Sequence, residues 1–320
     1  MPAATKLPAV ADGCEVRYQQ PDHEYRRHDS TSQSELKEIL KSPAHYLARY
    51  GPDAAPFFPS KNMIIGTALH SRVLEPHLFD SQFCDRSEVA KEPTVSELKE
   101  QLTEEGIEFK ASAKKPELMA LAYPDGLPKE KRTTLASEDF AIVCGMGEAL
   151  RTHGITGDWF NPGQSNYRRT NELSIYLDAA TSGFGFPVKG RIDRLERTAT
   201  GWRILDLKST DTASAGEFQR KAWNLGYDLQ AWFYSMLVQK ALGGTVEFVF
   251  VAVERNRPHG IGLYKASQKL LASGEKKAIY AAQELSFCKQ TGNFPGYPEE
   301  ILSLEPPRWA DTSSLDQPEF

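Results

Sequence analysis

The chain has 320 residues, 40% of them hydrophobic and 25% charged, with a formal net charge of −5. That is enough apolar material for one large domain or two small ones. The acidic balance gives no overall basic footprint, so a polyanion partner must meet a local positive surface.

No apolar run approaches the roughly 20 residues of a membrane span, and mean hydropathy is −0.48. "MPAATKLPAVADGCEVRYQQ" has no apolar stretch of the signal-peptide kind. Cys14, Cys84, Cys144 and Cys288 stand far apart, with no C-x-x-C pair. The expectation is a cytoplasmic protein with reduced thiols and no membrane contact. Residues 1–24 are rich in Pro and Ala and are expected to be a flexible segment, ordered only if docked. "STSQSELKEILKSPAHYLARYG" predicts two helices broken at Pro43, capped by Ser and Thr. "KNMIIGTALHSRVLEP" predicts a helix stopped by Pro76. Residues 88–132, rich in Lys and Glu, read as a solvated helical insertion with a loop. "ASEDFAIVCGMGEALRTHG" predicts a further helix ending at Gly154.

The pattern then changes. "NELSIYL", "FPVKGRIDRLE" and "GWRILDLKS" are rich in β-branched and aromatic residues, and "RTATG" joins the last two as a hairpin turn. "KAWNLGYDLQAWFYSMLVQKALGG" predicts one helix with a Gly-Gly stop. "TVEFVFVAVER" reads as a buried strand, "SGEKKAIYAAQELSFCKQTG" as a last helix, and "FPGYPEEILSLEPPRWADT" as a Pro-rich tail. There is no internal repeat. This order predicts one mixed α/β domain over residues 25–310 with an N-terminal helical part, then a flexible tail over 311–320.

Charge placement carries the chemistry. Alternation along a strand puts Asp206 and Lys208 on one face and Leu207 on the other. Asp193 lies in the neighbouring strand. Two carboxylates near strand ends can hold a hard divalent cation, and an ammonium beside them can orient water or offset charge on a phosphate. Asp-x-Lys alone equally describes a surface hairpin with an ion pair. His70 shares a helix face with Gly66 and is a candidate ligand; a lone helix histidine is more often a packed one. Glu172 opens the strand expected beside Asp193, where an edge charge is also ordinary. Gln230 and Tyr234, one helical turn apart, can hydrogen-bond a phosphate or a base edge, or simply flank a helix.

Taken together, "GTALH", "NELSI", "GRID", "DLK" and "QAWFY" resemble, in order and spacing, the motifs of the PD-(D/E)XK nuclease superfamily in its RecB/exonuclease VIII branch. The likeness is closest to RecE-type nuclease domains and extends to "STSQSELKEILKSPAHYLARYG", "LHSRVLEP" and "LSLEPPRWA". Ile192 stands where the superfamily's name has Pro. The resemblance implies a restriction-endonuclease-like core, a central mixed sheet flanked by helices. It implies a Mg²⁺-dependent 5′-to-3′ double-stranded DNA exonuclease, with Mn²⁺ as a substitute, that leaves 3′ single strands for a RecT-like annealing protein. A homo-oligomeric ring, a tetramer among its forms, would reconcile the acidic charge with a DNA substrate. The implied metal ligands are His70, Asp193, Asp206 and the Leu207 carbonyl. Lys208 would position the attacking water, and Glu172 would serve a second metal or orient water. Gln230 and Tyr234 would hold DNA near the scissile phosphate. Ser32, Ser34 and Arg49 could bind a terminal 5′ phosphate, or be caps and a surface charge. Cys288 is alone near the C-terminus, so no iron–sulfur cluster is expected. An imidazole ligand predicts activity falling below about pH 6. The rival readings are a sequence-specific endonuclease on the same core and a catalytically inactive DNA-end-binding module.

Overall fold

The computed structural model describes residues 9–89, 91–127, 129–161 and 169–305. The tail expected over 311–320 and the "PPRWA" part of the C-terminal likeness lie outside them.

Nine strands are described: β1 (Cys14–Arg17), β2 (Thr31–Ser32), β3 (Phe83–Asp85), β4 (Thr133–Leu135), β5 (Arg169–Leu177), β6 (Val188–Arg197), β7 (Gly201–Thr210), β8 (Thr245–Glu254) and β9 (Ile261–Lys265). Seven form a mixed sheet in the order β1-β5-β6-β7-β8-β9, with β2 also beside β6. β7 and β8 pair in parallel along their whole length, while β5-β6, β6-β7 and β8-β9 are antiparallel. The protein is a mixed α/β structure, a central mixed sheet flanked by helices.

Both faces of the central strands are covered, and β8 accordingly runs apolar and buried from Phe248 to Val253. Ile204, Phe248 and Phe250 face the helices Gln33–Lys41, Tyr227–Leu242 and Gln268–Thr291 through Leu36, Phe233, Leu237 and Leu285. Leu205, Leu207, Val249 and Val251 face the helices Lys61–Leu74 and Ser137–Thr152 through Ile65, Leu69, Met146 and Leu150. Among the described residues, no helix is long and apolar enough to cross a membrane.

The structure differs from the sequence pattern in several places. The single helix expected over 221–244 is two, Ala215–Asn224 and Tyr227–Leu242. Gly226 between them has φ +62°, a left-handed conformation that ends one helix and turns the chain into the next. The last helix begins at Gln268, earlier than its pattern suggested, with Ser267 as cap. Within the N-terminal segment, β1 docks on the edge of the sheet against β5. Residues 88–132 include the helices Val95–Glu104 and Lys115–Ala122. These enclose a small core of their own, Leu98, Leu102, Ala113 and Leu118. This unit hangs from the short parallel pair β3-β4.

Candidate active site

The site grows from a split in the sheet. β6 pairs with β7 from Arg197↔Trp202 to Arg194↔Leu205, and the ladder stops there. One more step would set Asp193 opposite Asp206. Two carboxylates cannot share that pairing cheaply, and the strands part. At its other end β6 pairs instead with β2, through Thr31↔Val188 and Ser32↔Lys189. On the far side of β6, Glu172 lies between the pairs Asn171↔Arg194 and Leu173↔Ile192, which places it across from Asp193. Its φ is +48°. A non-glycine residue in this region is uncommon, and such strain gathers at working sites.

Three elements converge on the opening. His70, from the helix Lys61–Leu74, puts Nδ1 at 3.8 Å from Glu172 Oε1 and Nε2 at 3.8 Å from Asp193 Oδ2. One ligand atom from each of these three residues lies within 4.8 Å of the other two. His70 Nε2 is also 2.9 Å from the Leu207 carbonyl. The Leu207 N–H donates to Asp193 Oδ2 at 2.8 Å, a bond that replaces the lost ladder with a side-chain tie. Beside this group, the fully buried Asp206 has Oδ2 at 2.5 Å from Lys208 Nζ and accepts from Gln230 Nε2 at 2.9 Å on Oδ1. Gly190, three residues before Asp193, lets the Tyr227–Leu242 helix close on the sheet. A Cβ there would fall 2.4 Å from Leu237 Cδ1 and 3.0 Å from Tyr234 Cε1.

The charges act on one another at short range. Burial raises Asp206 to about 6 despite the pull of Lys208, with Asp193 adding to the rise. Burial likewise raises Asp193, against the attraction of His70 and Lys208. For His70, burial works toward a lower value, but the carboxylates of Asp193 and Glu172 outweigh it and lift the imidazole to about 9. For Lys208, burial is again opposed and outweighed, here by Asp206 and Asp193, and the ammonium stays charged above its usual range. Such clustered perturbation is typical of functional sites.

The donor set fits a divalent cation. Carboxylate and carbonyl oxygens suit Mg²⁺ or Mn²⁺, and one imidazole favours the latter. Asp206 Oδ2 has Lys208 Nζ as its one polar neighbour, at 2.5 Å, and a carboxylate oxygen carries a second lone pair that a cation could take. The model for the PDDEXK-like domain of unknown function (DUF3799) matches residues 32–305. The chain belongs to this PDDEXK-like family. The match spans the split sheet and every residue of the cluster. The fold is also similar to the crystal structure of a proposed exonuclease from Eubacterium rectale. That likeness has 11% identity and a TM-score of 0.57, and covers 91% of this chain and 96% of that one. A structure of protein VC1899 from Vibrio cholerae aligns at 10% identity over 87% of this chain and 58% of that one. Its TM-score of 0.20 is too low to bear on the fold. No curated protein matches the sequence.

The remaining candidates from the sequence lie apart or are inward. Gln230 and Tyr234 are both buried, and the Gln230 amide is committed to Asp206. Burial pushes the Tyr234 phenol well up. Ser32 ties its N–H and hydroxyl to Glu35 at 2.9 and 3.1 Å. The exposed Ser34 accepts from Gln33. Arg49 sits 3.9 Å from Glu38 and stacks on Phe57. Among the described residues, no hydrogen bond or ion pair joins it to either serine. Sequence reasoning passed over Tyr227, whose ring lies 5.1 Å from Lys208 Nζ. The signal was present, since residues 227, 230 and 234 share one helix face.

A proton-release prediction follows from His70. A cation taking His70 as a ligand would have to displace the proton that the imidazole holds up to about pH 9. Metal uptake at pH 7.5 should therefore release close to one proton, and affinity should rise about tenfold per pH unit toward that value. This lies well above the pH 6 expected of an unperturbed imidazole. Calorimetry in buffers of different ionisation heat reads the proton directly. Metal uptake with buffer-independent heat would remove His70 from the ligand set.

Proposed function

We propose that this chain is a divalent-metal-dependent phosphodiesterase that degrades DNA from its ends. The observation that carries the reading is the split between β6 and β7. It gathers His70, Glu172 and Asp193 around one point and sets the Asp206–Lys208 pair beside it.

His70, Asp193, Asp206 and the Leu207 carbonyl would hold Mg²⁺, or Mn²⁺ in its place. Glu172 would join them or orient water. A cation there supplies charge for the phosphate oxygens and lowers the pKa of water. Lys208, held as an ammonium, cannot serve as a base; it donates hydrogen bonds to the attacking water and to developing charge on the phosphate. Gln230 fixes Asp206 from behind, and Tyr234 packs beneath the split, so both act on DNA through the residues they position.

The finer reading is a 5′-to-3′ exonuclease on double-stranded DNA. Its 3′ tails would pass to a single-strand annealing protein of RecT-like type, from a homo-oligomeric ring. It rests on the resemblance in motif order, and the proposed exonuclease from Eubacterium rectale, which shares the fold, is consistent with it. A sequence-specific endonuclease would cut closed plasmid; an inactive end-binding module would cut nothing. Linear duplex labelled at its 5′ or 3′ ends, run beside covalently closed plasmid with Mg²⁺, tests all three. Early release of the 5′ label with the closed circle intact is the expected result. Cleavage of the circle, or early release of the 3′ label, would overturn it.

A further inference from the structure

The helix Gln33–Lys41 follows directly from β2, the strand that borders the opening in the sheet. It therefore carries Lys37 toward the site. The Lys37 stem crosses the corner between the Ala215–Asn224 and Tyr227–Leu242 helices. A Cβ on Gly226 would meet Lys37 Cε at 3.3 Å and Cδ at 3.6 Å, so the bare, left-handed glycine leaves the lane the lysine occupies. The Lys37 ammonium lies 5.6 Å from the centre of the Tyr227 ring, and the Lys208 ammonium 5.1 Å from the same ring.

Lys37 has no ion pair or hydrogen bond among the described residues, although it is half-buried. The nearby carboxylates already face other cations. Asp206 is held by Lys208 and Gln230, and Asp228 by Ser273 at 2.9 Å and Lys277 at 2.7 Å. Burial, with Lys208 adding, lowers Lys37 to about 7, so an anion arriving there would also secure its charge. A desolvated cation without a partner is costly, and it is retained where a ligand brings the counter-charge.

We propose that Lys37 binds a phosphate of the DNA strand next to the scissile one, beside the same Tyr227 ring that Lys208 approaches. This rests on the nuclease reading above. Two sources share the chemistry, a terminal 5′ phosphate and an internal phosphodiester.

The test is Lys37→Met, with Lys37→Gln as a second neutral variant should methionine disturb packing. Binding is measured on 5′-phosphorylated and 5′-hydroxyl duplexes with Ca²⁺ in place of Mg²⁺. Wild-type cleavage with Mg²⁺ is measured alongside. Loss of one charge-assisted phosphate contact should weaken binding roughly tenfold or more. It should also reduce the slope of log affinity against log salt by about 0.7–0.9. Lys37→Arg should keep the wild-type slope. If the terminal phosphate is the partner, the variant loses any preference for the phosphorylated end. If an internal phosphodiester is, both ends weaken equally. Unchanged affinity and slope in a folded neutral variant, with the wild type binding and cleaving, would overturn this inference alone. A wild type that neither binds nor cleaves DNA would bring down the nuclease reading, and this one with it.

Discussion

Asp206→Asn is expected to lower DNA cleavage by about a thousandfold or more while leaving the protein as stable as the wild type or more so. The loss follows from position. Asp206 is the buried carboxylate paired to Lys208, beside the His70, Glu172 and Asp193 group that would hold a cation. A contribution of several kcal/mol to charge stabilisation at such a centre corresponds to about three powers of ten in rate.

The stability follows from linkage. The Asp206 carboxyl stands at about 6 in the fold, against its ordinary value of 3.8. The folded protein thus holds this proton more tightly than the unfolded chain does. The stabilisation is fully present below about pH 4 and is lost as pH rises to about 6. At neutral pH an ionised, fully buried Asp206 weakens the fold, and asparagine removes that burden while its amide oxygen can still accept from Gln230. Lys208 loses a partner but keeps Asp193, which limits the gain. Thermal unfolding from pH 4 to 8 should show a flatter curve for the variant, with cleavage assayed on the same samples. Full activity with Mg²⁺ present would remove Asp206 from the site.

Some of this was legible in the sequence because strand alternation is strict. "DLK" fixed Asp206 and Lys208 on one face and Leu207 on the other, and Leu207 is indeed buried in the opposite core layer. Pro43 and Pro76 both open helices, at positions where a missing N–H is harmless. The helix break at Gly226 was concealed because "AWNLGYDL" keeps apolar residues in helical phase on both sides, and periodicity cannot report one residue's φ. The short strands β2 and β9 carry too few residues for alternation to register.

The site itself depends on tertiary events that no local pattern encodes. One is the point where β6 leaves β7; another is the left-handed Glu172. A third is the pairing of β2 with β6, which brings Lys37 and Lys208 near the ring of one tyrosine. The residues were readable as candidates; their partners were not. Gln230 was read as a hand for DNA; in the fold its amide N–H donates to Asp206, a partner the sequence could not name.

Lys208→Met is expected to reduce kcat by about a hundred- to a thousandfold, with metal affinity and DNA affinity near those of the wild type. The magnitude is that of one preorganised donor lost from a site of developing charge. The reasoning begins with protonation. Burial alone would ease the proton off Lys208, but Asp206 and Asp193 outweigh it and keep the ammonium charged. A lysine so held contributes through its hydrogen bonds and positive charge, which matter most in the transition state. Ground-state binding therefore changes little, and the loss appears in kcat rather than KM. Methionine keeps the length of the stem beside the Tyr227 ring without the charge. Lys208→Arg should rescue poorly, because a planar guanidinium does not fit the point contact with Asp206 Oδ2 at 2.5 Å. Single-turnover cleavage beside a calorimetric Mn²⁺ titration separates the two roles. If the methionine variant fails to take up metal, Lys208 shapes the carboxylates rather than serving the chemistry. If it cleaves at the wild-type rate, the phosphodiester mechanism drawn from this cluster is wrong.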